Sequence, residues 1–307
     1  MALPICFAPL QGYTDDVYRR LHHEIFGGVT KYYTPFLRIE GNGVRSKDVR
    51  DIDPAHNVGV PVVPQIIVKS MKEFDFLLQV VEQNGYHEVD INMGCPFPMQ
   101  AKHGRGSGLL AHTDIIEKMG EVISKRDDMA FSVKMRLGWE DPEEWRAVLD
   151  ILNQMPLKQI TLHPRLGKQQ YKGVADVEAF ATFAENCKHP LLYNGDLRTV
   201  EDIKRIEERF PSLVGIMIGR GLLARPSLAM EYANGMEMPW IERRRLVLFM
   251  HEKLREHYEN LVNSEAQLHN KLRLFWEYMD TELEKKAYKK IMKSGNLKNY
   301  LAAVRDI

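Results

Sequence analysis

The sequence predicts an α/β protein: a (β/α)8 TIM barrel followed by a small C-terminal all-α helical bundle. Eight short, apolar β-type segments alternate with segments of helical periodicity up to about residue 240. Several of these strands end in polar or Gly-rich sequence, and active sites of such barrels lie at that end. After Glu237-Met238-Pro239-Trp240 the strands stop, and only long, charged, Leu-containing helical stretches follow.

The predicted elements are short runs bounded by turn residues. The eight strands are Ile5–Leu10, Lys31–Phe36, Val62–Val68, Glu88–Met93, Phe131–Leu137, Gln159–His163, Pro190–Asn194 and Gly215–Gly219. The helices between them are Asp15–Phe26, Met71–Gln83, Thr113–Lys125, Pro142–Met155, Val177–Asn186 and Val200–Arg209. Pro142 follows an acidic cap and suits a first helical position. The polar, Gly-rich stretch Leu37–Gly59 is predicted to be mostly loop.

An open, doubly wound sheet is the alternative to the barrel. Such a sheet usually carries a Gly-rich turn after its first strand, and Pro9-Leu10-Gln11-Gly12 is not one. The closed barrel is therefore favoured.

A domain boundary is predicted between residues 235 and 236, which gives a barrel domain (1–235) and a helical domain (236–307). The predicted C-terminal helices are Ile241–Leu261, Glu265–Asp280, Leu283–Lys293 and Leu297–Val304. The whole chain carries 42 Lys and Arg and 42 Asp and Glu, whereas residues 241–307 carry 14 against 10. This local excess indicates either a surface for a polyanion or an ordinary solvated helical face.

Composition excludes several classes of protein. The three cysteines are widely spaced without a C-x-x-C pair, so neither a disulfide framework nor a zinc site is expected, and no metal is predicted. No basic and apolar leader and no run of membrane-spanning length occur. We therefore expect a cytoplasmic protein without a membrane partner. We also expect a monomer, for which the sequence carries no signal of its own.

The stretch Val89–Pro96 is the most informative part of the chain. An apolar strand ends in Asn92, a glycine and Cys95, and Pro96 stops it. The following segment, Phe97–Gly108, has the composition of a mobile active-site loop, with three glycines and several cations. Cys95 is then either a small buried apolar residue or a thiol held beneath a loop that can close over a ligand.

Two further strand ends suggest a phosphate site. TIM barrels that bind phosphate do so in the loops after strands seven and eight. Gly195 and Gly219 stand at these places, where a glycine lets the backbone approach a phosphate, and Arg220 adds a planar cation. The alternative is that both are ordinary turn glycines.

Strand five places two cations on one face. Lys134 and Arg136 alternate with apolar residues, so both point into the barrel mouth and require an anion or an electron-rich ring. Lys134 could stabilise the negative charge of a reduced flavin. Gln65, a primary amide in a buried strand, requires hydrogen-bond partners, which a flavin edge or the neighbouring backbone would provide.

In these motifs the chain resembles the dihydrouridine synthase family of flavoenzymes, over nearly its whole length. The motifs are Ala8-Pro9-Leu10-Gln11-Gly12, Asp90-Ile91-Asn92-Met93-Gly94-Cys95-Pro96, Val133-Lys134-Met135-Arg136-Leu137-Gly138, Leu162-His163-Pro164-Arg165, Tyr193-Asn194-Gly195-Asp196 and Met217-Ile218-Gly219-Arg220-Gly221. The resemblance implies FMN-dependent reduction of uridine in tRNA to 5,6-dihydrouridine, with NADPH as reductant. It also implies that the C-terminal helices help to grip RNA.

The resemblance also implies roles for individual residues. Hydride from the flavin would add to uracil C6, and Cys95 would donate a proton to C5. Ala8, Pro9 and Leu10 would line the isoalloxazine, Gln65 and Lys134 its polar edge, with His163 beside it, and the phosphate would be held by Asn194, Gly195, Asp196, Gly219 and Arg220. Substrate contacts would come from Asn92 and Arg136 at the uracil and from Lys102, His103 and Arg105 at RNA phosphates.

The sequence departs from the family pattern at Leu10, commonly Met, and at Pro164 and Leu166, where Gly and Thr are usual. Length and the Gly104–Gly108 loop are closest to shorter bacterial members that modify a D-loop uridine. Two other functions remain open at this point. One is FMN-dependent reduction of a free pyrimidine or small enone, and the other is an RNA-binding barrel without cofactor.

Overall fold

The computed structural model of the protein describes residues 2–41 and 43–307. Its strands are β1 (Ile5–Phe7), β2 (Lys31–Tyr33), β3 (Ile39–Glu40), β4 (Gly43–Val44), β5 (Val62–Val63), β6 (Gln65–Ile66), β7 (Glu88–Met93), β8 (Ala130–Gly138), β9 (Leu157–Leu166), β10 (Leu191–Tyr193) and β11 (Gly215–Ile218). The helices of the first 240 residues are α1 (Asp16–Ile25), α2 (Ser46–Ile52), α3 (Met71–Gln83), α4 (Pro98–Ala101), α5 (Thr113–Ile123), α6 (Trp145–Leu152), α7 (Val177–Asn186), α8 (Val200–Arg209), α9 (Arg220–Ala224) and α10 (Leu228–Asn234). The C-terminal helices are α11 (Trp240–Glu259), α12 (Glu265–Leu274), α13 (Lys285–Met292) and α14 (Leu297–Arg305).

The main sheet is a closed parallel barrel. Its order is β5-β2-β1-β11-β10-β9-β8-β7-β6, and its two end segments are halves of one strand separated only by Pro64. Proline has no N–H for the ladder, so it divides the predicted strand Val62–Val68 in two. The first half pairs with β2 and the second with β7, which closes the ring. The predicted TIM barrel is confirmed, and the open-sheet alternative is wrong.

The barrel interior is apolar on the side of β1, β2, β5, β10 and β11 and polar on the side of β6 to β9. Side chains alternate along each strand, so the outward-facing residues pack against the surrounding helices. A small apolar cluster inside the barrel consists of Cys6, Ala8, Tyr33, Val63, Leu192 and Met217. Polar side chains from β6 to β9 fill the remaining interior and lead into the cavity described below.

The prediction that Leu37–Gly59 is mostly loop is wrong. This stretch contains the β3–β4 hairpin, α2 and a 3-10 turn, Pro54–His56. The buried Arg19 guanidinium donates to the Asp51 carbonyl and to Asn57 Oδ1, and Asp51 Oδ1 accepts the Asp16 N–H at 2.9 Å. These contacts with α1 order the stretch, and they join residues too distant in sequence to be recognised as a local pattern.

Three of the remaining differences from expectation are larger than a shift at the end of a strand. The sixth helix begins at Trp145 rather than Pro142, because Glu144 accepts the N–H groups of residues 139–141 and folds them into a turn. The helix predicted to reach Asp280 ends at Leu274, and a 3-10 turn, Met279–Thr281, follows. The loop predicted over residues 97–108 instead contains α4 and the start of a second 3-10 turn, Gly106–Ala111.

The C-terminal helices pack on the first helix of the barrel. Tyr258 Oη donates to both carboxylate oxygens of Asp15, at 3.0 and 2.9 Å, and Lys271 Nζ lies 2.7 Å from the same carboxylate. Helix α10 ends at Gly235 in the left-handed conformation, next to the predicted domain boundary, which stays a prediction. Within the described ranges, no helix has the length and apolar character needed to cross a membrane.

Candidate active site

A cavity of about 730 Å³ opens at the carboxyl ends of the barrel strands. The structure brings fourteen of the residues singled out in the sequence to its walls. They are Ala8, Pro9, Leu10, Gln65, Asn92, Cys95, Lys134, Arg136, His163, Asn194, Gly195, Asp196, Gly219 and Arg220. The strand-end pattern therefore located the cavity, whereas the role of each residue stays a prediction.

The other three predicted residues lie outside these walls. Arg105 is half-buried, and its guanidinium pairs with Glu73, with Nη2 to Oε1 at 2.5 Å and Nε to Oε2 at 3.1 Å. Its cation thus ties the segment after Cys95 to α3, and its contact with RNA phosphates stays a prediction. Lys102 and His103 are exposed, and a contact with RNA phosphates stays a prediction for them.

Cys95 is held on three sides by its own backbone contacts. Its N–H donates to Asn92 Oδ1 at 2.8 Å, and its carbonyl accepts from the N–H and Oγ of Ser107 at 3.2 and 2.8 Å. Gly106, with φ of 59°, packs so closely that a side-chain carbon there would lie 2.7 Å from Cys95 Cβ. Burial raises the pKa of the thiol more than Arg136 and Lys134 lower it, so Cys95 is protonated at neutral pH.

Lys134 points into the cavity, as the alternation in β8 predicts. Among the described residues no hydrogen bond or ion pair satisfies its amine. Burial, with a smaller effect of Arg136, lowers its pKa to about 8, against the opposing charge of Asp90. A half-buried amine without a partner among the described residues attracts an electron-rich or anionic group.

Arg136 is fixed from the neighbouring strand and its loop. Its Nη1 donates to the carbonyls of Leu166 and Gln170, each at 2.8 Å, and its guanidinium lies 5.5 Å from the centre of the Tyr171 ring. The departure at Leu166 is thus accommodated through a backbone contact. At the other departure, the Pro164 carbonyl accepts the Asp176 N–H at 2.8 Å.

Asp196 organises two arginines instead of facing a ligand with its carboxylate. Arg165 Nη1 and Nη2 donate to its two oxygens at 2.9 and 2.5 Å, Arg220 Nη2 donates at 3.0 Å and the Ala175 N–H at 2.9 Å. Asp196 itself has the left-handed φ of 42°. Any phosphate contact from this residue must therefore use its N–H, while its side chain positions Arg220.

The loops after β10 and β11 approach each other closely. A side-chain carbon at Gly221 would lie 1.9 Å from the Leu197 carbonyl oxygen, so only glycine allows this contact. No described residue accepts a hydrogen bond from the backbone N–H of Gly195 or Gly219. Two unsatisfied N–H groups beside Arg220 provide what a phosphate needs, and the predicted phosphate site fits them.

His163 is neutral in this cavity. Burial, and then the charge of Arg136, holds the pKa of its imidazole well below its usual range. Its Nε2 lies 3.3 Å from Arg165 Nη1 and accepts from it. The proton of the neutral ring is therefore on Nδ1.

Two aromatic groups at the cavity were not found from the sequence. Tyr171 lies between Arg136 and Arg220, whose guanidinium is 4.3 Å from its ring centre, and the only local signal was an aromatic residue in a polar loop. Tyr278, from the segment after α12, lines the cavity and packs on Tyr13 with ring centres 5.3 Å apart. No sequence pattern joins residues 13 and 278.

The fold and the cavity define a TIM-barrel protein that binds its ligand at the carboxyl ends of the strands. Residues 6–306 match the family model described as Dihydrouridine synthase (Dus). The chain belongs to the dihydrouridine synthase family.

Curated relatives carry corresponding names. A probable tRNA-dihydrouridine synthase 1 of Synechocystis sp. is 32% identical over 73% of this chain and 62% of that protein. tRNA-dihydrouridine synthase B of Pasteurella multocida is 27% identical over 73% of this chain and 67% of the relative. A tRNA-dihydrouridine(16) synthase of Pseudomonas syringae pv. tomato is 27% identical over 78% of this chain and 80% of the relative. The chain thus spans less than two thirds of the Synechocystis relative.

Solved structures share the fold alone. A variant of NCR from Zymomonas mobilis superposes with a TM-score of 0.53 at 10% identity, over 76% of this chain and 87% of that one. Morphinone reductase in complex with tetrahydroNAD superposes with a TM-score of 0.50 at 11% identity, over 78% of this chain and 89% of that one. These similarities support the barrel assignment and nothing finer.

Proposed function

We propose that the protein reduces specific uridines of tRNA to 5,6-dihydrouridine, with FMN as cofactor and NADPH as reductant. Membership of the family and the names of the curated relatives support the reaction. The observation that carries the proposal is the arrangement of Cys95. A protonated thiol, fixed by its backbone, faces the same cavity as the unpaired Lys134 amine and the phosphate-type loops.

The residues present fit FMN. The N–H groups of Gly195 and Gly219, with Arg220, would hold its phosphate, and Ala8, Pro9 and Leu10 would line the ring system. Lys134 and Gln65 would meet the polar edge of the ring. When bound, FMN supplies the hydride for the reduction.

Cys95 would supply the proton. A thiol whose pKa is raised by burial keeps its proton at neutral pH and can act as a general acid at C5, the carbon next to the one that receives the hydride. Asn92 and Arg136 would hold the uracil, which must leave its stack to enter a cavity of this depth. The charge balance of residues 241–307, 14 cations against 10 anions, suits a tRNA phosphate surface. We also propose that the protein is a cytoplasmic monomer whose helical domain begins at residue 236.

The test uses purified protein, FMN, NADPH and unmodified tRNA transcripts, followed by nucleoside mass spectrometry mapped by position. We expect dihydrouridine at one or two positions, and position 16 is examined first because the Pseudomonas relative is named for it. A colourless protein that takes up no FMN would overturn the flavoenzyme proposal in favour of a cofactor-less RNA-binding barrel. Bound FMN and reduction of a free pyrimidine or enone, with every tRNA uridine unchanged, would favour the small-molecule reductase.

A further inference from the structure

A chain of short hydrogen bonds crosses the buried polar interior of the barrel. Ser132 Oγ donates to Asp90 Oδ1 at 2.6 Å, and Gln65 Nε2 donates to Asp90 Oδ2 at 2.7 Å. Asn92 Nδ2 then donates to Gln65 Oε1 at 2.7 Å. Asp90 and Gln65 are completely buried, and the register pairs them directly across β6 and β7.

The direction of each bond follows from the carboxylate. Burial raises the pKa of Asp90 to about 6, so its carboxylate is ionised at neutral pH and only accepts hydrogen bonds. The side of the Gln65 amide that faces Asp90 must therefore be its NH2 group. Its carbonyl then faces Asn92, whose own NH2 group must point to Gln65. The Asn92 carbonyl is in turn used by the N–H groups of Gly94 and Cys95, at 3.1 and 2.8 Å.

This order leaves mainly donors for a ligand. Among the described residues, the Asn92 carbonyl accepts two N–H groups and the Gln65 carbonyl accepts one, while each NH2 group keeps one N–H without a partner. Gln65, Asn92 and Lys134 all line the cavity, and Asn92 and Lys134 are register partners. We call these three residues the donor wall.

We propose that Asp90 is a positioning residue that sets the orientation of the two amides and so makes the donor wall selective for ligand edges bearing carbonyl oxygens or unprotonated ring nitrogens. The inference deepens the proposed function, because the pyrimidine edge of FMN and the carbonyls of uracil are such edges. Asp90 acts through its bond to Gln65 and through its charge on Lys134, and it does not line the cavity itself. A merely structural role for Asp90 would affect stability but not ligand preference.

The first experiment tests the orientation without a cofactor, by thermal unfolding. Gln65→Glu alone places two carboxylates against each other and should lower the melting temperature strongly. Adding Asp90→Asn restores one donor and one acceptor and should recover most of that loss. Ser132→Ala is the matched control, because it removes a bond to Asp90 but leaves Gln65 oriented. If the double variant melts as low as Gln65→Glu alone, the assigned orientation is wrong.

The second experiment measures FMN binding and the midpoint potential of bound flavin in the same variants. The double variant presents an acceptor where the wild type presents a donor, so its FMN dissociation constant should rise about ten- to a hundred-fold. Its potential should become more negative, because the reduced, electron-rich ring loses a donor. Ser132→Ala should stay within about twofold of wild type.

The outcomes separate the two proposals. A recovered melting temperature with wild-type FMN affinity and potential would overturn the selectivity proposed for the donor wall, while the enzyme assignment stands. Failure of the wild type to bind FMN would instead overturn the proposed function and the assignment of FMN as a ligand of the donor wall. The melting-temperature recovery would still report the orientation set by Asp90.

Discussion

The three cysteines show how strongly the surroundings of a thiol determine the chemistry it can perform. Cys6 is packed inside the barrel, where burial raises the pKa of its thiol to about 11, and Cys187 follows α7 near the surface. Only Cys95 combines a cavity position with a clamped backbone. Its proposed role as a proton donor therefore depends on contacts made by Asn92 and Ser107.

Replacing Cys95→Ala should lower dihydrouridine formation by about a hundred-fold or more, the usual contribution of a general acid. Bound flavin and NADPH oxidation should be retained, because the thiol holds neither. Nucleoside mass spectrometry of reacted tRNA measures the loss, and Cys187→Ala is the matched control. Wild-type turnover by Cys95→Ala would exclude the thiol as the acid.

Lys134 should make FMN binding depend on pH. Its pKa is lowered to about 8, so its charge is present below that pH and lost above it. We expect the affinity of the apoprotein for FMN to fall as the pH rises through about 8, followed by flavin fluorescence. Lys134→Met should bind FMN about tenfold more weakly at pH 7 and show no such fall. An equal pH dependence in both proteins would contradict this role.

The sequence was sufficient to place single residues at the cavity, but it did not reveal their hydrogen-bond and ion-pair partners. Strand periodicity placed Gln65, Lys134 and Arg136 at the cavity, because alternation is a local property. The use of the Asp196 carboxylate by Arg165 and the pairing of Arg105 with Glu73, 32 residues away, depend on packing between elements. The sequence therefore does not show which charged residues near a predicted site already have a partner within the protein.

At the scale of elements, the loops after β10 and β11 work as one unit. They meet where the Leu197 carbonyl lies against Gly221, and both contribute to the phosphate-type site. Neither loop alone would place Gly195, Gly219 and Arg220 around one anion.

Gly221→Ala should separate these loops, because its new carbon would overlap the Leu197 carbonyl. We expect a loss of about 2–4 kcal/mol in the free energy of unfolding and reduced FMN occupancy in the purified protein. Gly295→Ala, where no atom lies within 4 Å of the added carbon, is the control. Unaltered FMN occupancy in Gly221→Ala would refute the dependence of the site on this contact.

The elements with strong periodicity agree with expectation, and the exceptions share one cause. Helix α3 lies at its predicted residues because an amphipathic pattern and a Ser70 cap specify it locally. The β3–β4 hairpin and α2 are short and polar, and their order comes from Arg19 and Asp51. Likewise, the turn before α6 depends on the Glu144 carboxylate.

At the scale of the molecule, Asp15 links the barrel to the C-terminal helices through Tyr258 and Lys271. Tyr278, which belongs to the C-terminal part of the chain, forms part of the cavity wall. The position of the C-terminal part is thus coupled to the shape of the site. This coupling was not visible in the sequence, because residues 15 and 258 are separated by nearly the whole chain.

Tyr258→Phe keeps the ring but removes the hydroxyl that donates to Asp15. The buried carboxylate then keeps Lys271 as its partner, and we expect a loss of about 1–3 kcal/mol in the free energy of unfolding. Denaturant titration measures it, with Tyr86→Phe as control, since the Tyr86 hydroxyl bonds to no described residue. A stability equal to wild type would show that this contact does not fasten the two parts.

The closed barrel also determines when its first strand can complete its pairing during synthesis. Ile5 pairs with Ile216, so the first strand made must wait until more than two hundred further residues have left the ribosome. At ordinary elongation rates this takes about ten to forty seconds, during which the edge of β1 has no neighbour on that side. A released fragment that ends before residue 215 contains β1 to β10 but lacks β11, so we expect it to expose the edges of β1 and β10 and to aggregate.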